Sequence, residues 1–317
     1  MKAEVVKETK DVVNSTIVFE PYTLATRIVE FAEASARICL YSYQKEFAYR
    51  LAYSLLVNDG EEITALFSRQ SGKTETIAVI TPALLIILPV LANIFSELEA
   101  FRGGLWVGIF APIYEQASTT YERMRLRIKT ETAQEILMDP DIQTQIVGNG
   151  IRLDNGSYVR MMSASKNAQI ESKTYHLAIL EECQDIDEKK ILKSIHPMLA
   201  ATNGTIIKIG TPNGEKCEFL SAIQRNRRKD ANCANRSLRN HFQYDYMVCQ
   251  KSNSRYKKFI DREIERFGVD GDYFRMAYAL HWMIEKGVYV TEHQLDNLMH
   301  SELDFVEEDV LSVHVLD

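Results

Sequence analysis

Cysteine is scarce and irregular. The five residues at 39, 183, 217, 233 and 249 contain no CxxC pair, and none of the seven histidines completes a zinc spacing. That excludes a disulfide scaffold and a zinc module, and fits a reducing compartment. Long apolar runs are missing too. The most apolar stretch, Ile77 to Leu91, is fifteen residues long and carries Pro82 and Pro89, whereas a membrane span needs about twenty. It reads as a buried helix pair. The start, MKAEVVKETKD, lacks the apolar core of a signal peptide. No repeat or low-complexity tract is visible. What is present is an ordinary globular composition: 317 residues, 46% hydrophobic and 26% charged. This argues against bulk disorder and against a fibre. At roughly 150 residues per domain it makes one large domain or two modest ones.

Charge is uneven. The chain carries a net −7. Between Leu220 and Arg262, eleven Lys or Arg face three Asp, and from Glu292 to Asp317 eight carboxylates face no Lys or Arg. A net acidic chain still meets nucleic acid where its local field is positive. The basic stretch reads more often as just a solvated surface.

Hydrophobic spacing predicts a helical region from Ala25 to Val57, stopped by Asn58-Asp59-Gly60. Strands follow at Glu61 to Phe67, Gly104 to Ala111, Tyr175 to Leu180 and Thr205 to Ile209, with helices from Thr74 and over Ser118 to Leu137. Ile151 to Ser163 reads as a hairpin turning at Asp154-Asn155-Gly156. Apolar strands alternating with helices predict an α/β fold, a mostly parallel sheet with helices on both faces. The pattern turns helical and more polar from about Ser252. The expected organisation is an N-terminal arm at 1–24, a core at 25–248 and a small helical lid or linker subdomain at 249–317.

Three segments carry chemistry. In the first, the strand ending at Phe67 runs into Ser68-Arg69-Gln70-Ser71-Gly72-Lys73-Thr74, where a helix starts. Helix N-terminal amides lack intrahelical acceptors and favour anions, so a polyphosphate fits. Gly72 lets the backbone approach, Lys73 reaches the β and γ oxygens, and the Thr74 hydroxyl suits Mg²⁺. The general phosphate-loop pattern places a Gly where Phe67 stands, so it is matched at its GKT end alone; the bland reading is a helix start with an exposed lysine. In the second, the apolar strand 176–180 ends in Glu181-Glu182. At the carboxyl end of a parallel strand such acids face the ligand crevice. Adjacent strand residues point to opposite sides, so the acids take different roles: Glu181 the metal shell, Glu182 the attacking water. Two exposed acids capping a strand is the alternative. In the third, the strand over 205–209 leads into Gly210-Thr211-Pro212-Asn213-Gly214, where Thr211 is placed to sense the γ-phosphate.

Taken in order, these residues resemble the N-terminal packaging ATPase of the tailed-bacteriophage terminase large subunit. SRQSGKT is similar to that family's variant phosphate loop, with an early Arg and no first Gly. Tyr43-Gln44 resembles its adenine-recognition element, APIYEQA (111–117) its Gln-containing motif after a strand, LAILEE its acidic motif and GTPNG its coupling motif. FGVDGDYFRMAYALHW resembles the helical stretch that closes the domain.

The resemblance implies an ASCE-type P-loop NTPase using ATP and Mg²⁺. It implies Glu182, Arg69 and Lys73 as catalytic residues, and Thr74 and Glu181 at the metal. Nucleotide contacts would come from Tyr43, Gln44, Thr211 and the loop Ser68, Arg69, Gln70, Ser71, Gly72, Lys73 and Thr74. The implied partners are double-stranded DNA, a portal protein and a small terminase subunit, in a homo-oligomeric ring whose isolated domain is monomeric, in the host cytoplasm and without a membrane. Two features depart from the family. Glu181 stands where the family has Asp, and Glu171-Ser172 stands where it often has Arg-Gly. Lys173, Arg160 and Arg123 are candidate substitutes for that arginine. These proteins usually continue into an RNase H-like nuclease, whose first strand would begin near VLSVHVLD, so the expectation is an ATPase domain without its nuclease. A helicase-like translocase and a non-hydrolysing nucleotide-gated scaffold remain alternatives.

Overall fold

The computed structural model describes residues 18–283 apart from 132, 134–144, 148–149, 169 and 171–172. Two helices come first, α1 (Pro21–Ala36) and α2 (Ser42–Val57), where the sequence predicts one helical region. The break has a local cause. Arg37 adopts a left-handed conformation, φ 54°, and the Glu33 side chain accepts from the Leu40 N–H at 2.7 Å. The Gln44 side chain then accepts the Tyr41 N–H at 2.8 Å and starts α2. α1 begins inside the expected arm, and its Ala25, Ile28 and Val29 belong to the main core; residues 1–17 lie outside the described residues.

Next come β1 (Glu62–Phe67), α3 (Lys73–Ala92), β2 (Trp106–Ala111), α4 (Tyr114–Ile128), β3 (Gln145–Val147), β4 (Gly150–Arg152), β5 (Tyr158–Ser163), β6 (Leu177–Leu180), β7 (Thr205–Gly210), α5 (Glu218–Asp230), β8 (His241–Tyr244), α6 (Tyr246–Ser252), α7 (Ser254–Phe267) and α8 (Asp272–Ala277). α3 is one helix, not the expected pair, and it keeps Pro82 and Pro89 in its interior. Proline has no N–H for the carbonyl four residues earlier. For Pro89 that carbonyl is Leu85, and it is taken instead by Asn155 Nδ2 and Ser157 Oγ, both at 2.8 Å. The helix is long and apolar enough for a membrane span, but most of it is buried inside the fold.

The sheet has eight strands in the order β3-β4-β5-β2-β6-β7-β1-β8. The six strands from β5 to β8 in that order are parallel, and the β3–β4 and β4–β5 pairs are antiparallel. The predicted hairpin is the β4–β5 pair. Alternation splits the strands between two apolar clusters. Ile63, Ala65, Val107, Ile109, Leu177, Ile179, Ile207 and Ile209 join α1 to α4 on one face. Leu66, Phe110, Ala178, Leu180 and Ile206 meet Phe219 and Ile223 of α5 and the helical segment 188–202 on the other. Each fully buried Leu or Ile contributes about 1.5–3 kcal/mol. Tyr256, Ile260, Phe274 and Tyr278 of the closing helices sit in the first of these clusters, so α6 to α8 share the core's apolar interior. The acidic stretch after Glu292 lies outside the described residues.

Candidate functional site

β1 lies between β7 and β8 in the parallel part of the sheet, and its carboxyl end delivers the loop 68–72 into the crevice. The loop is held from three sides. The Tyr43 hydroxyl donates to the Ser71 carbonyl at 2.6 Å and Gln44 Nε2 donates to the Gly72 carbonyl at 3.1 Å. The Ser68 N–H donates to Tyr244 O at 2.9 Å, and the Arg69 N–H to Ala277 O at 3.0 Å. The Tyr256 hydroxyl donates to the Arg69 carbonyl at 2.8 Å and meets Ser68 Oγ at 2.6 Å. Gly72 has φ 91°, and a Cβ there would stand 2.5 Å from Gln44 Nε2. The left-handed φ therefore favours glycine here, and a Cβ would displace the Gln44 amide that holds the loop. Thr76 makes the first i→i−4 bond of α3, to Gly72. The amides of 73–75 are left without intrahelical acceptors, at the positive end of the helix dipole.

A cleft of about 430 Å³ opens here, lined by the loop residues Phe67 to Thr74, by Gln116, Thr119 and Arg123 of α4, and by Glu182, Gln184, Asp185 and Thr211. Loop and acidic segment do meet: Lys73 Nζ forms an ion pair with Glu182 Oε1. β6 stops at Leu180, and Glu182 is left-handed at φ 45°. That conformation costs a long side chain of order 1 kcal/mol, and it separates the acids more sharply than strand alternation would. Glu181 turns inward, 4% exposed, and both carboxylate oxygens lie at 2.6–2.7 Å from Thr120 Oγ1 on α4. Burial pushes its carboxyl up to about 7. Glu182 turns into the cleft. Burial would raise it, but the charge and hydrogen bond of Lys73, with Gln184 and Arg69, outweigh that and hold it below the ordinary value.

Gln184 ties the site together. Its Nε2 donates to Glu182 Oε2 at 2.9 Å, and its Oε1 accepts the Thr211 N–H at 3.3 Å. Glu182 and Thr211 are thus one bridge apart. Gln184, Thr119 and Thr120 were missed from sequence; Arg123 was named there only as a candidate substitute arginine and Gln116 only within its motif. The one signal for them was the Gln116 motif, since 116, 119/120 and 123 share a helix face.

The remaining predicted residues are placed as follows. Ser68, Arg69, Gln70, Ser71, Gly72, Lys73, Thr74 and Thr211 line the cleft. Tyr43 and Gln44 do not; both are 4% exposed and support the loop from behind. Glu181 is not a lining residue. Glu171 lies outside the described residues. Arg123 lines the cleft and donates to Glu75 at 2.9 Å, while Arg160 and Lys173 do not line it. In the basic stretch, Arg225, Lys229, Arg239 and Lys257 carry carboxylate partners. Among the described residues no group of three or more His, Cys, Asp or Glu is placed to hold a metal by itself. The cleft instead offers the Thr74 hydroxyl with the Glu182 and Asp185 carboxylates. Such a sparse oxygen set suits Mg²⁺, which keeps several waters and shares its shell with substrate phosphates.

A strand–loop–helix cradle opposite an acid at the carboxyl ends of parallel strands defines the P-loop NTPase class of fold. Within that class, residues 64–288 match the family described as terminase large subunit, T4-like-virus type, N-terminal, and the chain belongs to it. Two solved structures share the fold. The ATPase domain of the Thermus phage P74-26 large terminase superposes with a TM-score of 0.57 at 19% identity, over 79% of this chain and 96% of that one. The bacteriophage HK97 large terminase gives 0.62 at 18% identity, over 81% of this chain and 55% of that one, so this chain matches about half of the HK97 protein. No curated protein sequence matches.

Proposed function

We propose that this chain hydrolyses ATP and is the motor of a viral DNA-packaging terminase, driving double-stranded DNA into a procapsid. The supporting observation is the convergence of Lys73, Thr74 and Glu182 on one cleft. The P74-26 structure of the same fold is titled a large terminase ATPase domain. Lys73 exchanges Glu182 for the β and γ oxygens when nucleotide enters, which frees the Glu182 carboxylate to orient the attacking water. Arg69 neutralises charge developing on the γ-phosphoryl group. Thr74, with the Asp185 carboxylate, would hold the metal, and Glu181, behind the cleft lining on Thr120, would act on it only through intervening water. Mg²⁺, when bound, would supply charge neutralisation at the phosphates. Gln184 relays the position of Glu182 to Thr211, which senses the γ-phosphate.

DNA is gripped through its backbone, without base readout, by lysines and arginines of the 225–258 stretch. Family membership supports a portal protein, a small terminase subunit and further copies of the chain as the remaining partners, in the host cytoplasm. Phosphate release from ATP with double-stranded DNA present is the test. Glu182→Gln is expected to lower turnover by about 10²- to 10⁴-fold while ATP still binds. Turnover in that variant equal to wild type would overturn the reading.

A further inference from the structure

The α4 wall of the cleft carries more positive charge than its own partners neutralise. Gln116, Thr119 and Arg123 stand at i, i+3 and i+7 on this helix and line the cleft together. Gln116 Oε1 is buried and accepts no hydrogen bond among the described residues. Arg123 Nη1 donates to Glu75 Oε2 at 2.9 Å, and Arg127 Nη2, one turn further on, donates to Glu75 Oε1 at 2.7 Å. Glu75 sits in the first turn of α3, directly after Thr74. One carboxylate thus holds two guanidinium groups, one on each oxygen. Two cations meet one anion, and neither arginine pairs with another carboxylate among the described residues.

The two arginines differ in access. The Arg123 side chain is 45% exposed and lines the cleft, whereas Arg127 is 26% exposed and does not line it. A partly exposed ion pair is weakly held, and a guanidinium makes strong paired hydrogen bonds to phosphate oxygens. Arg123 can leave Glu75 without stranding it, because Arg127 stays behind as its partner. We propose that Arg123 is a ligand of the terminal phosphate supplied by the same chain, that Glu75 and Arg127 hold it at the cleft until a triphosphate enters, and that this exchange makes the site prefer ATP over ADP. This rests on the nucleotide reading above and goes beyond it. Lys73 reaches the β oxygens and so serves both nucleotides. Discrimination needs a group that interacts differently with the two, and ADP leaves Arg123 on Glu75.

Equilibrium binding of ADP and of a non-hydrolysable ATP analogue, both with Mg²⁺, gives each variant a triphosphate-over-diphosphate preference. Arg123→Ala is expected to lower that preference about 10- to 100-fold and to leave ADP affinity within about twofold. Retained ADP binding also reports a folded site. Glu75→Gln loosens the hold on Arg123 and is expected to raise the preference about 2- to 10-fold. A bond that merely joined α3 to α4 would give both variants the same sign. An unchanged preference in Arg123→Ala, a lowered one in Glu75→Gln, or equal wild-type affinity for the two nucleotides overturns the exchange and leaves the nucleotide reading standing. Failure of wild type to bind either nucleotide overturns that reading, and this proposal with it.

Discussion

Two lysine–carboxylate clusters sit on the same sheet and have opposite characters. Lys73 and Glu182 form a pair whose side chains are 14% and 27% exposed, at the mouth of a cleft. Lys208, on the adjoining strand β7, is fully buried and pairs with both Glu62 and Glu218. Arg225 closes that cluster by donating to Glu62 at 3.0 Å and to Glu218 at 2.6 Å. Two cations meet two anions there, and every partner is protein. The functional groups are the same in both places, and access differs. A buried charge is tolerated when its partners are fixed and complete. A charge that must accept a substrate needs a partner it can leave. The cleft pair meets that condition and the β7 cluster does not.

Alanine at each lysine breaks the comparison most directly. Lys73→Ala is expected to lower ATP turnover by about 10²- to 10⁴-fold, with thermal unfolding shifted by no more than about 1 kcal/mol, because its ion pair is partly exposed. Lys208→Ala leaves Glu62 and Glu218 to share Arg225 and removes the fully buried cation between them, and is expected to cost about 3–5 kcal/mol of folding stability. Denaturant titration and phosphate release on both variants check this. Loss of turnover without loss of stability in Lys208→Ala would erase the distinction.

The closed region also predicts a pH response. His241 on β8 is buried, bonded to Thr64 Oγ1 at 3.0 Å, and pushed down to about 3 by burial and by the charges of Arg227 and Arg239. A depressed histidine contributes stability that is fully present above its unfolded value of about 6.5, and that is lost as pH falls toward the folded value. Between pH 7 and 4.5 this amounts to about 2–3 kcal/mol. His176, pushed down to about 4 by burial, adds in the same direction. His241→Gln is expected to flatten that limb of the stability–pH curve. An unchanged limb would mean that the region takes up protons elsewhere.

What could be read in advance depended on how local each cause was. The phosphate loop and the acid pair are contiguous in sequence and bounded by apolar strands, so they were legible. Gln44 was legible as a site residue, but not in its position behind the loop, because Gly72 and Tyr41 take up its amide through the fold. Pro82 and Pro89 suggested a break in α3. Asn155 and Ser157, far along the chain, satisfy the carbonyl that Pro89 leaves open. Nothing marked Lys208 as the centre of a charge cluster, since it sits in a strand that otherwise reads as apolar. Tyr256, Phe259 and Tyr273 were equally hidden: they belong to helices with an ordinary amphipathic pattern, and tertiary packing alone brings them to a second cleft beside Arg69.

The smallest expected effect probes the open cluster from its far side. Gln184 is 8% exposed and is held between Glu182 and the Thr211 N–H. A Cβ at Gly210 would stand 2.0 Å from its Oε1, so the bridge lies tight against β7. Removing it leaves Lys73 as the remaining side-chain partner of Glu182 among the described residues. An acid held from one side orients water less well than one held from two, while the phosphate contacts are untouched. Gln184→Ala is therefore expected to lower kcat about tenfold, the worth of one good hydrogen bond to a charged group, with KM for ATP within about twofold. The split is the test. A rise in KM with kcat intact would place Gln184 in nucleotide binding. A joint loss with lowered Tm would make it a fold support, like the residues around Lys208.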